Sequence, residues 1–335
     1  MMSERGWTIR HYQPGDEHGI LELFNRVFAV GNPDFVPRTL RQWRWQFDEN
    51  PLKHHTLVAV DDAGRIVGEY TAIPAMMNMN GVKKMGCQAV DSCVDAEYRH
   101  TLKREGLFLT LARAFFDYWA RPDRDCIVYG LPNPQAFRIG TRLIDYRPVH
   151  CPVPKLVLPV ATALPRPSPP IELEVVSELP GEIEQLYRSL GKTLEFSTWR
   201  DAAYLNWRYA HCPHVRYTIV LARNASRALR GMLVYRLGWI KQKVAPLVDL
   251  LVGDDDRDTL VALLAHARAA AAAAQLEALE AWMPRGFALY RALRLLGCRE
   301  EPSPFNLCIR IFTPLLTVPY AIERWYYTMG DSDIY

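Results

Sequence analysis

Several features that would assign a function at once are missing from this sequence. It has no Cys-x-x-Cys pair, no GxGxxG or GxxxxGK[ST] loop, no run rich in lysine and arginine, and no apolar stretch near the ~20 residues that span a bilayer. The missing loops argue against dinucleotide-binding folds and P-loop NTPases. A net charge of +3 is too small for an electrostatic nucleic-acid binder. The charged N-terminal stretch does not resemble a secretory signal, so we predict a soluble, cytoplasmic protein without a nucleic-acid partner.

Cysteine is present but shows no pattern. The 7 cysteines are odd in number and scattered, and no histidine stands near them at metal-ligand spacing. We therefore predict free thiols of a reducing compartment, with neither a disulfide framework nor a bound metal.

The length indicates two domains. A chain of 335 residues with 49% hydrophobic residues can bury two cores. An internal repeat supports this division: five pairs of segments recur in the same order. Segments 13–24, 45–51, 56–68, 89–94 and 129–146 correspond to 179–190, 207–213, 218–231, 247–252 and 281–298.

The two copies are separated by a proline-rich segment. Residues 151–170 contain the sequence PRPSPP, and proline fixes φ and removes a backbone donor, which favours an extended linker. We predict a first domain over residues 1–160 and a second over 171–335.

Hydrophobic spacing within the first copy predicts the order βααβββαβαβ. Asn80-Gly81 is typical of a tight hairpin turn, in which both central residues need positive φ. This order indicates a mixed α/β fold that is neither doubly wound nor a barrel.

A loop between a strand and a helix could hold a phosphate. After the strand that ends at Val94, the chain carries Arg99, Lys103, Arg104 and Gly106 and then an amphipathic helix. Unpaired amides at a helix start attract anions, and glycine permits close approach of the backbone. A basic surface loop is the alternative. The second copy has three consecutive aspartates here, residues 254–256, which would repel a pyrophosphate.

The strand order, the Glu-Tyr-Arg segment, this loop and the helix together resemble the GNAT superfamily of acyl-CoA-dependent N-acyltransferases, in the tandem arrangement. The resemblance implies two tandem domains, each a central, mostly antiparallel sheet flanked by helices. It also implies acetyl-CoA or another acyl-CoA as cosubstrate. The loop departs from the family pattern at Lys103, where arginine or glutamine is usual, and at Phe108, where glycine or alanine is usual. The implied cofactor-binding residues are Cys93, Val94, Arg99, Lys103, Arg104, Glu105, Gly106, Leu107, Phe108 and Asn133.

Acyl transfer to an amine needs a base for the amine and an acid for the departing thiolate. Candidate bases are Asp91, whose counterpart in the second copy is Asp249, and Glu69. The family's usual tyrosine acid is replaced by Gly140, so Tyr129 is the candidate acid, with Tyr146 as an alternative. Structural roles for these residues stay open at this point.

The leading hypothesis is an N-acyltransferase, in particular an acetyltransferase, that acts on an amine of a small molecule or amino sugar. A FemABX-type aminoacyl transferase and a non-catalytic protein that kept the fold are the alternatives. The acidic, aromatic tail could fold back so that Asp331 and Asp333 attract a cationic acceptor, or it could be a mobile terminus. The sequence leaves the oligomeric state open.

Overall fold

We analysed a computed structural model that describes residues 6–99, 106–191, 193–239 and 242–335. The elements of the first half are β1 (Trp7–His11), α1 (Asp16–Ala29), α2 (Leu40–Phe47), β2 (His55–Asp61), β3 (Ile66–Met79), β4 (Val82–Val94), α3 (Leu107–Trp119), β5 (Asp125–Gly130), α4 (Pro134–Leu143) and β6 (Arg147–His150). A short 3-10 turn at Ala96–Tyr98 follows β4. This order matches the predicted βααβββαβαβ.

The second half repeats the plan with additions. Its elements are β7 (Lys155–Pro159), β8 (Glu172–Val176), α5 (Ile183–Ser189), β9 (Phe196–Thr198), α6 (Ala202–Leu205), β10 (Thr218–Arg223), β11 (Leu229–Tyr235), β12 (Val244–Val252), α7 (Arg257–Ala273), β13 (Ala278–Trp282), α8 (Ala288–Leu295), β14 (Arg299–Glu301), β15 (Leu307–Ile311), α9 (Val318–Arg324) and β16 (Trp325–Tyr326). Within the described residues no helix has the length and apolar character needed to traverse a bilayer.

Two mixed sheets organise the chain, as the predicted fold class requires. The first has the order β1-β2-β3-β4-β5-β15-β6, and the second has the order β14-β7-β13-β12-β11-β10-β8. In the first sheet β4 and β5 run parallel, whereas β1–β2, β2–β3 and β5–β15 are antiparallel. In the second sheet the pair β12–β13 is parallel and the other pairs are antiparallel.

The compact units are interleaved along the chain. One unit comprises the residues up to Ala75, Lys84–Pro148 and Cys308–Leu315, and the other comprises Met76–Lys83, Val149–Leu307 and Leu316–Tyr335. These limits differ from the predicted domains 1–160 and 171–335. The reason is strand pairing: β7, inside the segment predicted to be a linker, pairs with β13 and β14, and β15 pairs with β5.

The first unit packs helices on both faces of its sheet. Side chains alternate along a strand, so Leu57 and Ala59 face a core under α3, whereas Val58 faces a core under α1 and α2. The hairpin between β3 and β4 turns at Asn80 and Gly81, with φ of 54° and 83°, as the sequence predicts.

A glycine on β3, Gly68, lets α3 lie close to the sheet. A Cβ on Gly68 would be 2.9 Å from Leu111 Cδ1 on α3. The second unit repeats the device, since a Cβ on Gly231 would be 2.6 Å from Thr259 Cγ2 on α7. The matching glycines fix the register of the repeat: Glu69, next to Gly68, corresponds to Met232.

Candidate active site

The helix start predicted to hold a phosphate is only partly covered by the described residues. Lys103, Arg104 and Glu105 lie outside them. The chain leaves β4 through the 3-10 turn, and Arg99 Nε donates to the carbonyl oxygen of Val94 at 2.9 Å. Arg99 therefore fastens the loop to the end of β4.

The start of α3 is uncapped by side chains among the described residues. Gly106 occupies the N-cap position with extended dihedrals, and a Cβ there would meet no atom of the described residues within 4 Å. Leu107 is 2% exposed and packs in the core under α3, and Phe108 is partly buried against the same core. Among the described residues, the space beside Gly106 is therefore open, whereas the side chain of Leu107 is packed in the core.

In the second unit, the N-terminus of the corresponding helix, α7, is capped by the carboxylate of Asp256. Asp256 accepts the backbone N–H of Thr259 at 3.2 Å and pairs with Arg230 at 2.8 Å. An intrinsic anion thus sits where an anionic ligand would dock, in keeping with the charge argument made from the three aspartates.

β4 runs past the end of its parallel neighbour β5. β4 pairs with β5 from Met85 to Gln88, and β5 ends one residue after Tyr129, the partner of Gln88. β4 continues to Val94. Within this stretch Asp91 has φ of 53°, a left-handed conformation that breaks the regular strand. The backbone of Cys93 and Val94 lies just beyond this break, and both side chains are buried.

Asp91 forms an ion pair that the sequence analysis missed. The guanidinium of Arg38 donates to both carboxylate oxygens, with Nη2 at 3.2 Å from Oδ1. Arg38 stands immediately before the N-cap of α2, where Thr39 forms a capping box with Gln42. The second unit repeats this pair with Arg200 and Asp249, at 3.0 Å.

The alignment of the two copies of the repeat could have predicted the ion pair of Arg38 and Asp91. Trp45 corresponds to Trp207, and counting back seven positions from each places Arg38 opposite Arg200. Since Asp91 also corresponds to Asp249, a shared structural role accounts for all four residues. This weakens the hypothesis that Asp91 is the base.

Glu69 is a second buried carboxyl, close enough to Asp91 for the charge of Asp91 to affect its pKa. It is 1% exposed, accepts a hydrogen bond from Thr71 Oγ1 at 2.9 Å, and has Cys93 Sγ 3.7 Å from Oε1. Burial, reinforced by the charge of Asp91, raises the pKa of Glu69 to about 8. Met232 fills the corresponding position in the second unit, so the fold itself does not need a carboxyl there.

The proton held by Glu69 predicts a pH dependence of stability. The folded state keeps this proton between the ordinary pKa of 4.5 and about 8, whereas the unfolded state releases it. Stability is therefore lost as pH rises through this window, by about 1.4 kcal/mol for each pH unit. Urea unfolding across the window should show this decline in the wild type relative to Glu69→Gln. Parallel profiles for the two proteins would contradict it.

The remaining predicted site residues take separate places. Tyr129 lies buried on β5, and because its neighbour Val128 faces α3, Tyr129 faces the other side of the sheet. Asn133 caps α4, and its side chain accepts the amides of Gln135 and Ala136. The alternative acid, Tyr146, is buried in the core under α3, where burial raises its pKa well above the ordinary value.

The tail packs against its own unit, and the carboxylate of Asp331 is engaged there instead of facing a cationic acceptor. Asp331 is buried and pairs with Arg200 at 2.7 Å. Arg208 donates to the carbonyl oxygens of Ser332 and Tyr335, at 2.8 and 2.5 Å. A Cβ on Gly330 would lie 1.9 Å from the hydroxyl of Tyr209, so the tail fits closely. Asp333 is exposed.

Comparisons with known proteins bear on this geometry. Residues 8–139 match the family described as the acetyltransferase (GNAT) domain. No curated protein matches the chain. A GCN5-related N-acetyltransferase from Anabaena variabilis is similar in structure with a TM-score of 0.67 and 11% identity, over 92% of this chain and 73% of that one.

Two further solved structures share the fold over most of their length. The N-myristoyltransferase of Saccharomyces cerevisiae with bound myristoyl-CoA has a TM-score of 0.59 and 13% identity, over 93% of this chain and 84% of that one. A tandem GNAT protein from the clavulanic acid biosynthesis pathway has a TM-score of 0.56 and 13% identity, over 92% and 99%.

Proposed function

With residues 8–139 matching a GNAT acetyltransferase domain, and with a fold similar to that of a tandem GNAT protein over 92% of the chain, as the premise, we propose that this protein is an acyl-CoA-dependent N-acyltransferase. The observation that carries the proposal is the start of α3, which no described side chain caps, in the segment that follows β4, the strand that runs past the end of β5. The amides at the start of α3, which no described side chain caps, and the space that the described residues leave beside Gly106 fit the pyrophosphate of a nucleotide thioester. The acyl-CoA supplies the activated acyl group.

We assign the binding of that cosubstrate to the first unit. Amides from Gly106 to Phe108 would bind the phosphates; Lys103, Arg104 and Glu105, which the family resemblance assigns to the same function, lie outside the described residues. Arg99 orders the loop, and the backbone of Cys93 and Val94 polarises the thioester carbonyl. Asn133, committed to capping α4, holds the chain after β5 in place.

The transfer step uses Glu69 as the base. A bond forms between the amine nitrogen and the acyl carbon, and the carbon–sulfur bond breaks. The ammonium proton passes to the ionised form of Glu69, which becomes abundant as the pH approaches its pKa of about 8. The departing thiolate takes a proton from Tyr129. The ion pair of Asp91 and Arg38 sets the electrostatic surroundings of Glu69: the charge of Asp91 raises the pKa of Glu69, and the charge of Arg38 lowers it.

We propose an amine on a small molecule or amino sugar as acceptor, and acetyl-CoA as donor. Longer acyl groups are a second candidate because the related yeast enzyme binds myristoyl-CoA. We propose a reducing compartment such as the cytoplasm, because the cysteines are odd in number and scattered in the sequence.

Binding of acetyl-CoA measured by titration calorimetry tests the proposal. We expect Gly106→Glu to weaken binding by about 10- to 100-fold, because its carboxylate would repel the pyrophosphate. The matched control is Gly253→Glu, before α7 in the second unit, which should leave the affinity unchanged. Absence of binding by the wild type, or equal losses in both variants, would refute the site.

Turnover distinguishes an enzyme from a binding protein that kept the fold. Amine-dependent release of CoA thiol across a panel of amines and amino sugars is expected for the enzyme. Tight binding without release across this panel would favour the non-catalytic alternative, which the altered loop and the glycine at position 140, where the family carries its tyrosine acid, motivate. An aminoacyl transferase would bind no CoA.

A further inference from the structure

A polar cluster lies inside the core under α3, away from the proposed acyl-transfer site. His55, Cys87 and Asp125 each offer one ligand atom, and these atoms lie within 4.8 Å of one another. The three residues come from β2, β4 and β5, so strands far apart in sequence bring them together. Cys87 and Asp125 are 0% exposed.

Part of this cluster lacks a partner. Asp125 Oδ2 accepts from His55 Nδ1 at 2.7 Å, but the buried Oδ1 has no hydrogen-bond partner among the described residues. A buried carboxylate oxygen without a partner is costly, and such an atom calls for an explanation. A cation bound between the three side chains would supply one.

The donor set suits one class of ion. An imidazole nitrogen, a thiolate sulfur and a carboxylate oxygen are the ligands of zinc and similar divalent transition metals. Tetrahedral zinc with bonds of about 2.0–2.3 Å separates its ligand atoms by about 3.3–3.7 Å, so small side-chain shifts would suffice. The ring of His55 stacks on Trp119 with 5.0 Å between centroids, which orients the ring.

We propose that His55, Cys87 and Asp125 form a binding site for a divalent transition metal, with zinc as the expected ion. Binding removes the thiol proton of Cys87 to solvent and forms a metal–sulfur bond, while His55 binds as neutral imidazole and Asp125 as carboxylate. Three protein ligands leave a fourth position for water. The metal would tie β2, β4 and β5 together under α3.

Cobalt titration of the metal-free, full-length protein tests the site. We expect one Co²⁺ per chain, a sulfur-to-cobalt charge-transfer absorption, displacement by Zn²⁺, and a higher melting temperature with Zn²⁺. Cys87→Ala should abolish the absorption. Cys308→Ala, a matched cysteine buried in the same core, should keep it.

Two results would overturn the proposal. One is the absence of the sulfur-to-cobalt absorption in the wild type, which would leave the cluster a hydrogen-bonded network. The other is an equal absorption in Cys87→Ala, which would place the metal elsewhere. If Cys87→Ala fails to fold, X-ray absorption of the zinc-loaded wild type decides: one sulfur ligand with nitrogen and oxygen ligands supports the site, and a sulfur-free shell refutes it.

Discussion

Replacing Arg200 by methionine is expected to destabilise the second unit by about 3–5 kcal/mol. Arg200 is 1% exposed and neutralises Asp249 and Asp331, which are 1% and 4% exposed. It also donates to the carbonyl oxygen of Thr198 at 3.1 Å. Methionine fills similar volume but leaves two buried carboxylates without a cation, so the loss is electrostatic rather than one of packing.

The repeat offers a matched control for this experiment. Arg38→Met breaks the corresponding pair in the first unit, where the arginine side chain is 16% exposed and only Asp91 is left unpaired. We therefore expect a smaller loss, measured by chemical unfolding. Adding Asp249→Asn and Asp331→Asn to Arg200→Met should recover part of the stability, because the unpaired charges are then removed. A loss below about 1 kcal/mol for Arg200→Met would contradict the account.

The second large effect is on turnover. Glu69→Gln is expected to lower kcat by about 100- to 10,000-fold while the affinity for acetyl-CoA stays unchanged. Glutamine keeps the shape of the side chain and its hydrogen bond with Thr71, but it accepts no proton from the amine. Steady-state kinetics, together with calorimetric binding, separates the two quantities.

Glu69→Met is the control for a structural role, since it installs the residue that the second unit carries at Met232. It should fold stably and be as inactive as Glu69→Gln. If kcat falls less than about threefold in Glu69→Gln, Glu69 is not the base. If both variants lose affinity for acetyl-CoA as well, Glu69 supports the binding site instead.

Local patterns made much of the fold predictable. Apolar periodicity and the Asn80-Gly81 turn carry their own geometry, and the repeat allowed the first copy to support the second. The same reasoning located the start of α3, because a glycine before an amphipathic helix is visible in sequence. The mixed sheet and the tandem arrangement were confirmed.

Side-chain partners brought together by tertiary structure were not predictable in this way. His55, Cys87 and Asp125 are far apart in sequence and show none of the short spacings that identify metal sites on a helix or a knuckle. Arg38, just before α2, and Asp91, on β4, meet only in the folded chain, and only the register of the repeat could have suggested their pairing. The pairing of β7 with β13 and of β15 with β5 was also not predictable, because the sequence of a strand does not indicate which sheet it joins.

The interleaving of the two units affects how the chain can fold during translation. The sheet of the first unit needs β15 beside β5, yet roughly 180 residues separate these strands, which a ribosome takes on the order of 10 s or more to synthesise. Until then β5 presents an unpaired edge, which invites aggregation. The nascent chain therefore depends on late, long-range closure, and a fragment ending before residue 307 would leave the first unit without its penultimate strand.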